Sequence, residues 1–430
     1  MEEQSVAKKK NNNKKLNSGK KKKINNVNFD DLPTELKVDI LCRLSGKELV
    51  RLTLVSHPWQ DFITVSCFST MAALPLSYSG SIYVHKDSSR SSLYGSETLF
   101  NMLRHQSLNV DKSFRYVNLG TMEPHNCSDI TLAQLMASCN GLVLICRGDR
   151  HYPRWDKDGL LEMHKVLYSY YVINPKTDQY VQVPKPSPSV CCYAALAYHP
   201  AESNFFKIVR FQGVQRLNVF NSETGDWVTS PFELENDITK ANWVEQSAYL
   251  QGAIYRLSMS GHLLRFTVDK VVSKKDLARA IEIPGAIDKS EIPKLHVGLS
   301  NERIHLAMYD IQRTILKIWV LEEDYQWSLK CSFCCPQISN FYKTYVQSIG
   351  FHPYDEGVIF VSYFQRNYLL ELKCLRYHEQ NPIIENSRSF NYYRRYGSDF
   401  RTGPIYHLLQ CEVPFACRKL QIKPLIKAIK

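Results

Sequence analysis

What this 430-residue sequence lacks narrows its function before anything present does. No apolar stretch approaches the ~18 residues that a membrane-spanning helix needs. The longest tight apolar runs, such as Leu142–Cys146, have the length of a strand. The N-terminus is rich in Lys and Asn and has no apolar core of a secretory leader. No HExxH, Walker loop, GxSxG or GxGxxG occurs. The 13 His are dispersed, and none stands at a recognisable catalytic spacing from a Cys or a carboxylate. His164, His199, His262 and His352 lie beside strands or turns, where structural roles are expected, and Glu322-Glu323-Asp324 reads as a solvated turn. These gaps predict a non-enzyme of the nucleus, the cytoplasm or both, with no membrane contact, no cofactor and no metal.

Cysteine is present without a pattern. Thirteen is an odd number, and scattered thiols in a reducing compartment behave mostly as small buried hydrophobes. One cluster stands out, Cys331, Cys334 and Cys335. A structural zinc site takes four ligands, and this single CxxC has no second pair nearby, so a core strand is the expectation.

Positive charge is concentrated at one end. The formal net charge is +12, but residues 1–24 hold nine Lys and two Glu, or +7, which leaves +5 for the other 406 residues. Residues 1–26 are low-complexity Lys, Asn and Ser, cannot bury enough apolar surface to offset the entropy of ordering, and are expected to be a disordered basic tail. Lys8, Lys9, Lys10 and then Lys20, Lys21, Lys22, Lys23 have the spacing of a two-part nuclear import signal. A solubilising, weakly polyanion-binding arm would use the same residues.

Residues 27–68 read as three short helices. Asp30 or Asp31 can cap a start with Pro33 just inside it, and Leu36, Ile40, Leu41 and Leu44 follow at helical spacing. Ser45 with Glu48 three residues on forms a capping box, opening a helix with Leu49, Leu52 and Val55 on its apolar side. Ser56 and Pro58 start a third, carrying Trp59, Phe62 and Ile63. A unit of about 40 residues rarely secures a core alone, so it should gain stability by packing on something else.

After about residue 75 the period changes from 3.6 to 2, with aromatic and β-branched runs broken by Asn, Asp, Gly and Pro turns. A strand, a polar turn and an aromatic opening the next strand recur at Tyr171–Tyr180, Leu217–Trp227 and Lys317–Trp327. Tyr180 to Trp227 is 47 residues and Trp227 to Trp327 is 100, two periods of 50. Further copies of the first strand fit near His262–Asp269 and Tyr368–Leu370, and a second recurring strand precedes each unit at Leu142, Ala253, Ile304 and Val358. A period near 45–50 with several strands each is the spacing of propeller blades, whose faces are buried only against neighbours. Trp227 and Trp327 should then pack between blades. The fold class expected is α+β multidomain: a three-helix module followed by an all-β propeller of about six blades, with a pair of β-sandwiches as the alternative. The expected units are a tail over 1–26, the module over 27–68, a linker with first strands over 69–134, the propeller over 135–415 and a basic C-terminal tail over 416–430.

Leu32-Pro33-x-Glu35-Leu36, Ile40-Leu41-x-Arg43-Leu44, Leu49, Val55-Ser56 and Trp59 together resemble an F-box. The body resembles the F-box-associated β-propeller of plant F-box proteins over roughly residues 135–335. That likeness rests on Ser138-Cys139-Asn140-Gly141-Leu142, Asn174-Pro175-x-Thr177, Tyr198-His199-Pro200, Ser222-Glu223-Thr224-Gly225-x-Trp227 and Gly252-Ala253-Ile254-Tyr255. The resemblance implies a substrate receptor of an SCF-type ubiquitin ligase. Leu32, Pro33, Leu36, Ile40, Leu41, Leu44, Leu49, Val55 and Trp59 would carry or support contact with a Skp1-like adaptor. Through it a cullin and a RING protein would join, and the β domain would hold a protein substrate of unknown identity. Two positions depart from the F-box pattern: Ser45-Gly46 stands where a Pro is usual, and His57-Pro58 where a Lys or Arg precedes the Trp. The alternative functions are a nuclear nucleic-acid-binding protein, suggested by the Lys tail and by Tyr392-Tyr393-Arg394-Arg395-Tyr396, and a scaffold acting outside any ligase. Nucleic acid is the less expected partner.

Overall fold

A computed structural model of the chain describes residues 28–86, 98–103, 132–149, 167–183, 194–212, 216–234, 238, 243–268, 274–338, 345–364, 369–378, 381–391 and 406–424. The Lys blocks at 8–10 and 20–23, His164 and the segment Tyr392–Tyr396 lie outside the described residues.

The helical module starts differently from expectation. Phe29–Asp31 forms a 3-10 turn, and neither Asp caps the following helix; Pro33 occupies the cap position of α1 (Thr34–Leu41). The physical reason is the restriction that a proline places on its predecessor, which holds Leu32 extended at ψ 145° and breaks the helical path there. The next two starts follow the sequence. Ser45 and Glu48 exchange both bonds of a capping box at the head of α2 (Gly46–Leu52). Ser56 accepts from the Trp59 N–H at the head of α3 (His57–Phe62), with Pro58 in the first turn. The chain then passes through a π turn at Ile63–Cys67 into α4 (Phe68–Ala72), so the helical run ends past residue 68.

The β body is built from four-stranded antiparallel meanders. Blade one holds β3 (Leu132–Cys139), β4 (Leu142–Asp149), β5 (Leu167–Asn174) and β6 (Gln179–Val183). Blade two holds β7 (Ala194–Ala197), β8 (Lys207–Gln212), β9 (Arg216–Asn221) and β10 (Asp226–Pro231). Blade three holds β11 (Trp243–Leu250), β12 (Ala253–Ser258), β13 (His262–Thr267) and β14 (Ala278–Glu282). Blade four holds β15 (Leu295–Ser300), β16 (Arg303–Asp310), β17 (Ile315–Leu321) and β18 (Trp327–Cys334). Blade five holds β19 (Tyr345–Phe351), β20 (Val358–Phe364), β21 (Leu369–His378) and β22 (Asn381–Asn391). The first strands β3, β7, β11, β15 and β19 touch in succession and define the inner wall.

Among the described residues five four-stranded blades stand, where about six were expected. The remaining material contributes a separate three-stranded sheet among the described residues, in which β1 (Ser77–Lys86) lies between β2 (Thr98–Leu103) and β23 (Tyr406–Gln410). Residues 416–424, expected as the start of a basic tail, instead run over blades one and two and finish as β24 (Lys423–Pro424) on the outer edge of β6. Backbone pairing and apolar packing outweigh the segment's charge there.

The recurring unit read from sequence is the third strand, the following turn and the fourth strand of a blade: β5–β6, β9–β10 and β17–β18. The aromatics after these turns do join blades. Trp227 lies 6.0 Å from the Tyr170 ring of blade one, and the Trp327 indole N–H donates to the Glu282 carbonyl of blade three at 2.8 Å. Apolar cores sit at the seams: one cluster joins the helical module to blades one, two and three, one lies between blades three and four, and one between four and five.

Candidate functional site

Two surfaces emerge from how the module is mounted. One side is fastened to the β body. Leu41, Leu49, Ile63, Cys67, Phe68 and Met71 are buried and belong to the same apolar cluster as Leu142, Tyr198 and Phe206 of the blades. Burial of a side chain such as Leu49 is worth roughly 1.5–3 kcal/mol relative to exposure, so a module too small to be secure alone gains its core here. The polar joint lies at the head of α2. The Gly46 N–H donates to Glu412 Oε2 at 2.6 Å, Glu412 Oε1 meets Lys176 Nζ at 2.9 Å, and Lys47 pairs with Asp178.

Gly46 is required for this approach, because a Cβ at that position would overlap the Glu412 carbonyl. One departure from the F-box pattern therefore has a local cause: the chain's own C-terminal segment comes up against residue 46. The other, His57-Pro58, lies exposed in the first turn of α3, and nothing in the structure explains it.

The other side of the module faces solvent with apolar residues. Leu36 and Ile40, one turn apart on α1, are 50% and 44% exposed, and Val55 is 65% exposed. Pro33 is exposed as well, while Leu32 and Leu44 are half-buried. Trp59 is half-buried and stacks on Phe29 at 5.5 Å. The nine residues singled out from the sequence thus divide: Pro33, Leu36, Ile40 and Val55 are presented outward, Leu41 and Leu49 are interior, and Leu32, Leu44 and Trp59 lie between. Sequence reasoning missed Leu54 and Val65, the most exposed large apolar residues of the module at 83% and 70%. Helical phase was the available signal, since neither belongs to the side that carries Leu49, Leu52 or Ile63.

Electrostatics at the module are local. Hydrogen bonds from the Ser45 backbone and side chain hold the Glu48 carboxyl below its ordinary value, the signature of the capping box. Arg43 and Asp39 pair at 2.7 Å on the exposed side of α1.

In the β body, burial disfavours the charged form of two histidines and three thiols. Burial pulls His296 down to about 4 and His305 down to about 4. Burial pushes the thiols of Cys331 up to about 12, Cys335 up to about 11 and Cys374 up to about 12. Thiols so held are poor nucleophiles and poor metal ligands near neutral pH. Cys331 and Cys334 sit on β18, the latter exposed beside Thr314 at 3.3 Å, and Cys335 follows buried. His352 accepts the backbone N–H groups of Tyr354 and Asp355 at 3.3 and 3.0 Å, and His262 Nδ1 lies 3.0 Å from Ser260 Oγ, so both serve turns. Glu322 pairs with Arg303 at the edge of its turn. A groove of about 510 Å³ between the outer edges of blades three and four is lined by Arg279, Trp319, Tyr325 and Trp327. Its guanidinium is occupied over the Tyr325 ring at 4.2 Å.

Comparison with known proteins bears on both parts. A family model described as F-box protein At3g26010-like, beta-propeller, matches residues 88–396, and one described as F-box-like matches residues 29–68. A candidate F-box protein of Arabidopsis thaliana, At4g21240, is 24% identical over 317 residues, covering 70% of this chain and 68% of the relative. Among solved structures, the β-propeller domain of Myceliophteria thermophila Cps50 (Swd1) aligns at 9% identity and TM-score 0.34, covering 74% of this chain and 88% of that one. A candidate 6-phosphogluconolactonase of Bacteroides uniformis aligns at 10% identity and TM-score 0.37, covering 71% and 80%. Superpositions this loose carry no functional information.

Proposed function

The chain belongs to the family of F-box proteins with an At3g26010-like β-propeller, and from this premise we propose that it is the substrate-recognition subunit of an SCF-type ubiquitin ligase. The helical module docks a Skp1-like adaptor, and a cullin and RING protein join through that adaptor. The β body holds the protein to be modified. The chain itself is non-catalytic; it raises the effective concentration of a substrate lysine near the charged enzyme, which is proximity rather than chemistry.

The observation that carries this reading is the exposure of Leu36, Ile40 and Val55 on a module whose Leu41, Leu49 and Ile63 are already buried against the blades. Exposed apolar residues gathered on a small unit mark a protein contact. Leu41 and Leu49 support these residues from beneath.

Each blade is a meander, so its first-to-second and third-to-fourth turns lie at one end and its other connections at the opposite end. The module and the C-terminal segment meet turns of the first kind, at 140–141, 174–178 and 221–226. The substrate is accordingly assigned to the opposite end, where loops are free to vary. The Lys blocks at 8–10 and 20–23 would direct the complex to the nucleus. A reporter fused to residues 1–26 that stays cytoplasmic would remove that part of the proposal.

The test is binding of the full chain to a purified Skp1-like adaptor beside the double variant Leu36→Asp/Ile40→Asp. Binding by the wild type that falls by about 100-fold or more in the variant supports the reading, since two charges would be buried unpaired at the interface. Absence of binding by the wild type overturns it.

A further inference from the structure

Four of the five family motifs of the β body lie in turns that the structure brings against one segment, residues 411–419. Gly141, at φ +90°, leaves no room for a Cβ beside Cys411. The buried Asn174 donates from Nδ2 to the carbonyls of Cys411 and Val413 at 3.1 and 3.0 Å, while its Oδ1 accepts the N–H groups of Lys176 and Thr177 at 3.0 and 3.3 Å. The Tyr198 hydroxyl lies 3.7 Å from Cys411 Sγ. The Ala416 N–H donates to the Asn204 carbonyl at 2.7 Å, with a parallel bridge between Phe205 and Ala416, and the Arg418 N–H donates to the Ser222 carbonyl at 3.1 Å.

The segment lying there, bent at Val413 and at 418–420, alternates buried and half-buried side chains over 411–416 in the manner of a bound strand. Cys411, Val413 and Phe415 point inward and are buried, and Phe415 meets Phe206 edge-on at 5.6 Å. Glu412 turns the other way, toward Gly46 and Lys176. Two cations close the run: Arg418 reaches Glu223 at 3.1 Å, and Lys419 pairs with Asp226.

We propose that the turns 140–141, 174–178, 198–206 and 221–226 form a peptide-binding groove that takes residues 411–419 of the same chain in cis, and that its occupancy seats the helical module on the propeller. The ligand class is an extended peptide with apolar side chains at alternate positions, an acidic residue between them and two cations at its C-terminal end. Backbone hydrogen bonds supply affinity and the alternate pockets supply selectivity, as when a strand is added to a sheet. The covalent connection at residues 73–76 tethers the module; the groove's occupant helps orient it, because Glu412 receives the Gly46 N–H at the head of α2, beside the Lys47–Asp178 pair. The inference does not depend on which partner the module binds.

Amide hydrogen exchange on the full chain tests it. Phe415→Ala weakens the segment and leaves the groove intact. The exchange of residues 46–52 and of Ala416 and Arg418 is expected to accelerate together by about tenfold or more, while the amides of β12 and β16 stay at wild-type rates, as a local opening requires. Excess synthetic peptide spanning residues 409–421 should fill the vacated groove and restore protection at 46–52. The double variant Arg418→Glu/Lys419→Glu, at exposed positions that do not endanger folding, should release the segment in the same way and respond to the same peptide. Faster exchange of the segment with residues 46–52 unchanged overturns the proposal, as does a peptide that restores nothing. Equal acceleration in β12 and β16 also overturns it, since the segment would then be general core support.

Discussion

The helical module and the blades solve the burial problem in opposite ways. Each blade is buried on both faces by neighbours of its own kind: β12 is buried along its whole length, and β16 over six consecutive positions. The module has four short helices, buries one side of itself in a cluster it shares with blades one, two and three, and leaves Leu36, Ile40, Leu54, Val55 and Val65 in water. A blade is therefore built for stability and the module for presentation. The joint between them combines that shared core, the Lys47–Asp178 pair and a segment of the chain's other end.

Four substitutions or conditions would break or sharpen that contrast. The largest effect is expected from Leu49→Asp, which places an unpaired carboxylate in the shared core; it should undock the module at a cost of several kcal/mol, lowering the first thermal transition and leaving a later blade transition. Persistence of a single wild-type transition would mean that the two regions do not share a core. Gly298→Val acts only on the blades. Its Cβ would stand 2.5 Å from the Phe351 ring across the seam of blades four and five, an overpacking cost of about 1–3 kcal/mol in denaturant unfolding. Protection of the module amides should not change.

Acid sharpens the contrast through charge. His296 and His305, both in blade four, have folded values near 4, below the ordinary 6.5 that applies when unfolded. The unfolded chain then binds protons more readily, so their contribution is complete above about pH 6.5 and is lost as pH falls toward 4. At pH 5 the loss is about 2 kcal/mol per histidine, and His296→Leu should flatten the thermal-stability profile between pH 7 and 5. A profile as steep as the wild type's would place the acid sensitivity elsewhere. The smallest effect is expected from Ser45→Ala, about 1 kcal/mol from loss of the capping box, read as faster exchange at the head of α2 alone.

Much of this architecture was legible in the residues, and the exceptions have physical causes. The capping box at Ser45 and Glu48, the Ser56 cap, the third-strand units and the interblade roles of Trp227 and Trp327 are set by nearest neighbours or by a repeat, and both survive folding unchanged. The start of α1 was misplaced because proline's effect on Leu32 outweighed the capping preference of Asp30 and Asp31. That Leu41 and Leu49 lie in the interior while Leu36 and Ile40 are exposed was not legible, since apolar spacing alone does not say which apolar residues meet the chain itself. Among the described residues five four-stranded blades stand rather than about six, because strand-like sequence at both ends of the β body pairs in the three-stranded sheet of β1, β2 and β23.

By itself the sequence determined the two kinds of structure, the caps, the blade period and the family, because each depends on short-range chemistry or on repetition along the chain. Only the tertiary structure decided which side of the module is free, why Gly46 stands where it does, and that residues 416–424, expected as the start of a tail, lie on blades one and two. Those outcomes rest on contacts between residues more than 100 positions apart, such as Gly46 with Glu412 and Lys47 with Asp178, and no local pattern encodes such pairings.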